Sequence, residues 1–387
     1  MGVDDWDFFW ILTFVFGIYT SSPFIFHYPK FAPKIGEEVK IFGDNIMERL
    51  IIDGFGKFVG KEGSQLVVKE SGKVVYRTLA ESLRQVIISG GGSIGFEAMS
   101  LLAEHGVDLI IFNWKGDITA RLSSLEMRTV QTRKQQYYAY LDTRSGTLAK
   151  MFVWAKLKNQ YALLGTFAKV RKETRPDKAE ELLKNRDEIN FLISTLETVL
   201  VKPIEELRET IIGLEGKSAV HYWKGFGNAI PDKFNFSERS GRHAQDVVNA
   251  MLNYGYGILE GEIWRAVHFA GLDPYGGYLH ADRPGKPSMV LDLMEEFRQQ
   301  VVDKSVLALL SKNMVKPSDF TVTEGLCRLS DNARKAEINE IVGKLEEYVR
   351  VGNEKVRWCD LMLSQARTVA KFLRGETSEY KPFYLRW

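Results

Sequence analysis

Cysteine is nearly missing: 387 residues hold two, Cys327 and Cys359, and they do not form a CxxC pair. A disulfide framework is therefore excluded, and so is a thiolate set for structural zinc or an iron-sulfur cluster; thiols this sparse suit a reducing compartment, so a cytoplasmic location is expected. Net charge is equally scarce. The 52 Lys and Arg face 50 Asp and Glu, a balance of +2, which rules out a histone-like polycation and leaves only a local basic groove as a route to a polyanion. There is no internal repeat and no low-complexity tract. What is present is apolar residue in quantity, 45% of the chain, enough to bury more than one core.

One long uncharged run stands apart. Residues 8–26 include WILTFVFGIY, with Asp4, Asp5 and Asp7 before it and no basic residue until Lys30. A secretory leader needs a positive start and a small-residue cleavage site, and a span needs about 20 apolar residues. The run has neither, so no membrane role is expected of it, and residues 1–46 are left unassigned.

Short β-branched runs at 48–54, 64–69, 73–79, 84–89 and 107–112, separated by Gly-containing and Lys-Glu-Gly turns, read as strands of a small sheet. Helical spacing appears between them at 94–105. The SGGGSIG at 89–95 has neither the Lys-Ser/Thr of a P-loop nor dinucleotide spacing, and reads as a turn into that helix. From Gln131 the period lengthens, in segments 149–167, 189–214 and 248–271, with Gly, Pro and charge between. The expected architecture is α+β and multidomain: a small β-rich domain over 47–125, then a larger all-helical domain over 126–387.

Charge is uneven across that break. Residues 121–178 carry 13 Lys and Arg against four acids, interleaved with Tyr137, Tyr138, Tyr140 and Trp154. That combination suits a phosphate backbone, and it equally suits a solvated helical surface.

Three places concentrate acids and imidazole. Glu215 lies in GLEGKSAVHYW, near the end of a helical run; His280 lies in the Gly- and Pro-rich loop LDPYGGYLHADRPGKPS; Asp292 and Glu295 lie three apart in LDLMEEFRQQVVDK. Spacing of three puts the last two on nearly one side of a helix, with Asp292 near its N-terminus, where negative charge is favoured. Each has a plain alternative: a surface acid, a loop histidine bonded to backbone, a solvated pair. Carboxylates with one imidazole suit Mg²⁺ or Mn²⁺. Spacing alone does not bring Glu215 to His280. Of the other histidines, His221, His105 and His268 read as structural, and His243 sits in a basic connector.

In order, ERLIIDGFGKFVGKEGSQLVV, GLEG, DVVNAMLNYGYGIL, GLDPYGGYLH and SMVLDLMEEFRQQVVD resemble the CRISPR-associated endonuclease/integrase family, the catalytic subunit of spacer acquisition. The resemblance runs from about Met47 to the C-terminus. It implies a metal-dependent enzyme that joins prespacer 3′-hydroxyls to phosphodiesters of double-stranded and branched DNA. It implies a homodimer through the N-terminal domains and a small ferredoxin-like partner protein. It also implies Mg²⁺ or Mn²⁺ held by Glu215, His280 and Glu295, with Asp292 as an auxiliary acid. Lys224, Arg239, Arg242 and Lys304 are candidates for phosphate contact. Glu295 stands where some members have Asp, one methylene shorter. A noncatalytic architectural DNA-binding protein is the alternative, and it gives these separated acids no role.

Overall fold

The computed structural model describes residues 39–42, 48–112, 118–123, 129–241, 244–281, 283–323 and 325–385. The apolar run at 8–26, Arg242, His243 and the expected break at 125 lie outside the described residues. Among the described residues no helix is long and apolar enough to cross a membrane.

Period-two alternation builds the first part. Strands β1 (Val39–Phe42), β2 (Glu48–Glu62), β3 (Gln65–Glu70), β4 (Lys73–Leu79), β5 (Leu83–Ile94), β6 (Asp108–Phe112) and β7 (Ile118–Leu122) form one sheet, with helix α1 (Phe96–Glu104) between β5 and β6. Its order is β4-β3-β2-β5-β6-β7, with β1 also on β2; β2, β5 and β6 run parallel and the other pairings are antiparallel. Leu50, Ile52, Val86, Ile88 and Leu109 pack on one face with Ala98 and Leu102 of α1. Their neighbours Ile51, Ile87, Ile110 and Phe112 point the other way, into the core that the later helices fill. A sheet buried on both faces reads as continuous β-branched runs, which is what these strands show.

One expectation is corrected here. The glycine run is not a turn: β5 continues through Ile94, with Gly90 opposite Gly54 and Gly91 opposite Phe55 in parallel register. A register shift between Phe55 and Lys57, with Gly54 and Gly56 at φ 105° and 77°, bends β2 alongside it. Strand β1 also carries the sheet into the segment left unassigned.

The remainder is mainly helical: α2 (Val130–Tyr138), α3 (Thr143–Arg171), α4 (Pro176–Thr198), α5 (Ile204–Ala229), α6 (Val247–Phe269), α7 (Ser288–Met294), a π-helical turn (Gln299–Asp303) and α8 (Lys304–Ser311). After these come a hairpin of β8 (Phe320–Thr323) and β9 (Leu326–Leu329), α9 (Asp331–Glu346), a hairpin of β10 (Tyr348–Val351) and β11 (Glu354–Arg357), and α10 (Trp358–Leu373). The two hairpins correct the all-helical expectation. The single run foreseen over 189–214 is also broken, because Pro203 has no N–H to continue a helix. Ser145 Oγ instead accepts from Ile204 N at 3.0 Å, and Lys150 Nζ donates to Val199 O at 2.6 Å, docking the α4–α5 joint on the start of α3.

Sheet and helices are joined by charge as well as by apolar contact. Arg49 Nη2 meets Glu262 Oε2 of α6 at 2.8 Å, both buried, and Arg265 lies 3.2 Å from the other oxygen. Burial alone would raise the Glu262 pKa, but Arg49, Arg265 and Arg84 overrule it and hold the carboxyl at about 2.

A second polar knot ties α5 to α6. Asp303 is buried and accepts from Tyr222 at 2.6 Å and from Tyr256 at 2.5 Å. Burial pushes its carboxyl up to about 6, although Tyr222, Tyr256, Arg298 and Arg239 all act to lower it. A folded value above the unfolded 3.8 means that protonation of Asp303 stabilises the fold fully below about pH 4, and that this stabilisation is lost as pH rises through about 6. Between pH 7.5 and pH 4, wild type is expected to gain on Asp303→Asn by up to about 3 kcal/mol in urea unfolding; a difference independent of pH would refute it.

Gly146 permits the docked joint, since a Cβ there would stand 1.9 Å from the Lys202 carbonyl oxygen, whereas one at Gly213 of α5 would meet nothing within 4 Å. Gly146→Ala is expected to cost about 1–3 kcal/mol by overpacking. Gly213→Ala is expected to add roughly 0.5–1 kcal/mol. Denaturant unfolding of the two variants side by side checks both signs.

Candidate active site

The loop between α6 and α7 is held before it presents any chemistry. Gln136 of α2 donates to Asp273 O at 2.9 Å and Gly276 O at 2.7 Å, and accepts from Asp273 N at 2.8 Å. Tyr140 donates to Gly277 O, and Arg208 of α5 reaches Tyr278 O at 3.2 Å. Gly277 lets the loop pass against α7, where a Cβ would meet the Ser288 carbonyl carbon at 2.4 Å.

Asp292 completes the arrangement. Its Oδ2 accepts from Tyr278 N at 2.5 Å and Leu279 N at 2.9 Å; its Oδ1 accepts from His280 N at 3.0 Å and faces His280 Nδ1 at 2.7 Å. It lies past the middle of α7 and is fully buried, so backbone donors rather than a helix N-terminus satisfy its charge. A carboxylate cannot donate, so the proton belongs on Nδ1. The lone pair is then left on Nε2, which faces Glu295 Oε1 at 3.9 Å. This is the arrangement by which an outer carboxylate fixes the tautomer of a metal-binding imidazole.

Glu215 and Glu295 reach the same place from different elements. Glu215 sits in the middle of α5, not near a helix end as expected, and Glu295 caps the end of α7. Lys156 of α3 lies between them, 2.6 Å from Glu215 Oε1 and 2.8 Å from Glu295 Oε2. Arg298 holds the other oxygen of Glu295 at 3.0 Å and lies over the Tyr256 ring, 4.7 Å from its centroid. Burial would raise the Glu295 pKa; Arg298, Lys156 and His280 outweigh it and hold the carboxyl at about 2. The solvated-pair alternative for Asp292 and Glu295 is thereby excluded, since both are buried.

Do these residues fit a divalent ion? Among the described residues no three His, Cys, Asp or Glu side chains stand as a ready metal cluster. The Lys156 ammonium stands between the two glutamates. Glu295 Oε2 is a buried carboxylate oxygen whose partner is that ammonium, at 2.8 Å. Two carboxylates and one imidazole nitrogen are the donors that Mg²⁺ or Mn²⁺ accepts. In kind, these donors fit the ion.

The basic candidates separate by environment. Lys224 is exposed, 3.5 Å from Glu181, and Lys304 is exposed on α8. Arg239 is enclosed by the Trp223 and Tyr256 rings and donates to Asn249 at 2.9 Å and Asn253 at 2.7 Å. Asn249 also donates to Glu238 O at 2.8 Å, so it holds this segment against α6. Within the basic stretch 121–178, Arg121 pairs with buried Asp108 and Lys156 with the site, which removes both from any outer surface.

Sequence reasoning did not single out Lys156 or Arg298. Arg298 had a signal, three residues after Glu295; Lys156 had none, being 59 residues from Glu215. Glu296 was also passed over. It turns away from Glu295 and accepts from Phe383 N at 2.8 Å and from Tyr380, tying the segment after α10 to the back of the site.

The profile of the family described as CRISPR associated protein Cas1 matches residues 50–342. A CRISPR-associated endonuclease Cas1 of Archaeoglobus fulgidus is 43% identical over 345 residues, covering 88% of this chain and all of the relative. A solved structure of a casposase bound to integration product shares the fold at TM-score 0.73 and 26% identity, over 86% of this chain and 92% of that one. A chain of a Cas6-RT-Cas1–Cas2 complex shares the fold at TM-score 0.72 and 18% identity, over 88% of this chain and 36% of that one. With its sheet, its helical half and this pocket in one continuous match, the chain belongs to the CRISPR-associated Cas1 family.

Proposed function

We propose that this protein is a metal-dependent DNA endonuclease and integrase that joins prespacer 3′-hydroxyls to phosphodiesters of a CRISPR array. The observation that supports the reading is that Glu215 and Glu295 both reach Lys156, at 2.6 and 2.8 Å, while His280 Nε2 lies 3.9 Å from Glu295. Glu215, His280 Nε2 and Glu295 are the residues that would hold Mg²⁺ or Mn²⁺. Bound there, the ion supplies positive charge to a nonbridging phosphate oxygen as charge builds at phosphorus.

The chain's own groups do the rest. Asp292 keeps the His280 proton on Nδ1, and Arg298 fixes the rotation of the Glu295 carboxylate. A 3′-hydroxyl would attack in line: it loses its proton to solvent as the new O–P bond forms, one P–O bond of the target breaks, the released 3′-oxygen takes up a proton from solvent, and no external energy source is needed. Water in the same position gives hydrolysis. His280 is a ligand in this scheme; its ring nitrogens are engaged, one by Asp292 and one toward the cation, so neither is free as a base.

The family relationship extends the proposal to assembly. The sheet region within 47–125 is assigned to homodimerisation and 126–387 to catalysis and DNA binding. Double-stranded and branched DNA are the proposed substrates, in keeping with the casposase bound to integration product, and a small ferredoxin-like protein is the proposed partner, the Cas6-RT-Cas1–Cas2 complex naming a Cas2. Lys224 and Lys304 are proposed as phosphate contacts. Arg239 acts better as an internal prop, given its two asparagine acceptors.

Glu215→Ala, His280→Ala and Glu295→Ala are each expected to reduce strand transfer and disintegration of branched DNA at least 100-fold with Mn²⁺ or Mg²⁺, with DNA binding and dimerisation retained. Full activity in all three would show the ligands wrongly assigned. No metal-dependent turnover in the assembled wild type would favour an architectural DNA-binding protein. Lys224→Ala is expected to weaken DNA binding alike on every sequence and to lower the salt slope by about one; an unchanged slope in a titration from low to moderate salt removes Lys224 from the contact set.

A further inference from the structure

Lys156 is an unusual neighbour for two acids that would bind a metal. It crosses from α3, only 13% exposed, to lie 2.6 Å from Glu215 and 2.8 Å from Glu295. Of these acids Glu295 is buried and Glu215 about three-quarters covered. Two carboxylates this close repel each other strongly unless a cation stands between them. Lysine brings that cation on a flexible four-carbon stem, so the charge can be present or withdrawn without moving the helix.

We propose that Lys156 is a resident counter-cation of Glu215 and Glu295, displaced when the divalent ion binds, and that the displaced ammonium then pairs with a DNA phosphate. This rests on the reading of Glu215, His280 and Glu295 as the ligands. The ammonium and the ion seek the same carboxylate oxygens, and both are positive, so they exclude each other. A freed, strongly hydrated ammonium at the mouth of the site needs an anion, and the phosphodiester brought there for reaction is one. Metal and DNA therefore assist each other's binding through Lys156: the ion releases the ammonium, the phosphate keeps it released. Thermodynamic linkage makes the effect reciprocal, so DNA must raise metal affinity by the factor by which metal raises DNA affinity. The consequence is a site held at modest metal affinity until substrate is present.

The test is calorimetric titration of Mn²⁺ into the full chain, with and without a branched DNA duplex. Wild type, Lys156→Met, Lys156→Arg and Glu295→Gln are compared, and each is melted in EDTA and in Mn²⁺. Lys156→Met is expected to bind Mn²⁺ at least tenfold more tightly without DNA, and to lose the gain of fivefold or more that DNA confers on wild type. It should melt at lower temperature than wild type in EDTA and recover in Mn²⁺, because the ion takes over the lysine's charge; Lys156→Arg, still cationic, should not show the tighter binding. Unchanged or weaker Mn²⁺ binding by Lys156→Met overturns the proposal. So does a Lys156→Met protein that Mn²⁺ fails to restore. Glu295→Gln separates the two readings: if it binds Mn²⁺ as wild type does, the ligand assignment itself falls. If it binds weakly while Lys156→Met shows no gain, only the counter-cation falls.

Discussion

A carboxylate withdrawn from water must find cations or donors, and the centre of this molecule is organised by that requirement. Asp292 meets it with three backbone N–H groups and an imidazole, Glu295 with an ammonium and a guanidinium, Glu262 with two arginines. The Lys156–Glu295 and Arg49–Glu262 contacts join segments far apart in the chain. The Asp292 contacts fasten a loop to a helix, and the Glu262 contacts fasten the sheet to the helical half. Because each group removed would leave its partners buried and unsatisfied, these places tolerate little variation in geometry. The rigidity they impose is what an in-line displacement at phosphorus demands of the groups around it.

Much of this was legible in the sequence, for identifiable reasons. The strands announced themselves through β-branched runs, and α3 and α6 through helical spacing. The α+β order of a sheet followed by a larger helical half followed from the change of period near residue 130. Local rules failed where a partner distant in the chain decides the outcome. The SGGGSIG run looks like a turn because glycine alone says little; it extends as strand because β2, with Gly54 and Gly56, runs beside it. The hairpins β8–β9 and β10–β11 are only four residues to a strand, too short for periodicity to register.

The site shows the same division. Glu215, His280, Asp292 and Glu295 stood out by residue type and by the family resemblance, but their geometry did not. That Asp292 serves the imidazole and the loop backbone, rather than a helix end, depends on a turn of chain at 278–280 that no spacing encodes. Lys156 was counted among the charges of a basic stretch, and nothing in its neighbours distinguishes it from Lys158, which lies beside Trp154 at the surface. Only the packing of α3 against α5 puts one lysine in the pocket and leaves the other over Trp154, beside Glu197.

The two-sided sheet also has a history during synthesis. Its inner face, Ile51, Ile87, Ile110 and Phe112, is covered in part by α6, where Gly261 lies against Ile110, Phe112 and Ile118. A ribosome finishes the strands well before it reaches that helix, an interval on the order of ten seconds at ordinary elongation rates. Through that interval the nascent chain carries an apolar surface with its natural cover not yet made, a binding opportunity for chaperones and a liability for aggregation. Translation speed across residues 123–260 is therefore a property on which the yield of folded protein depends.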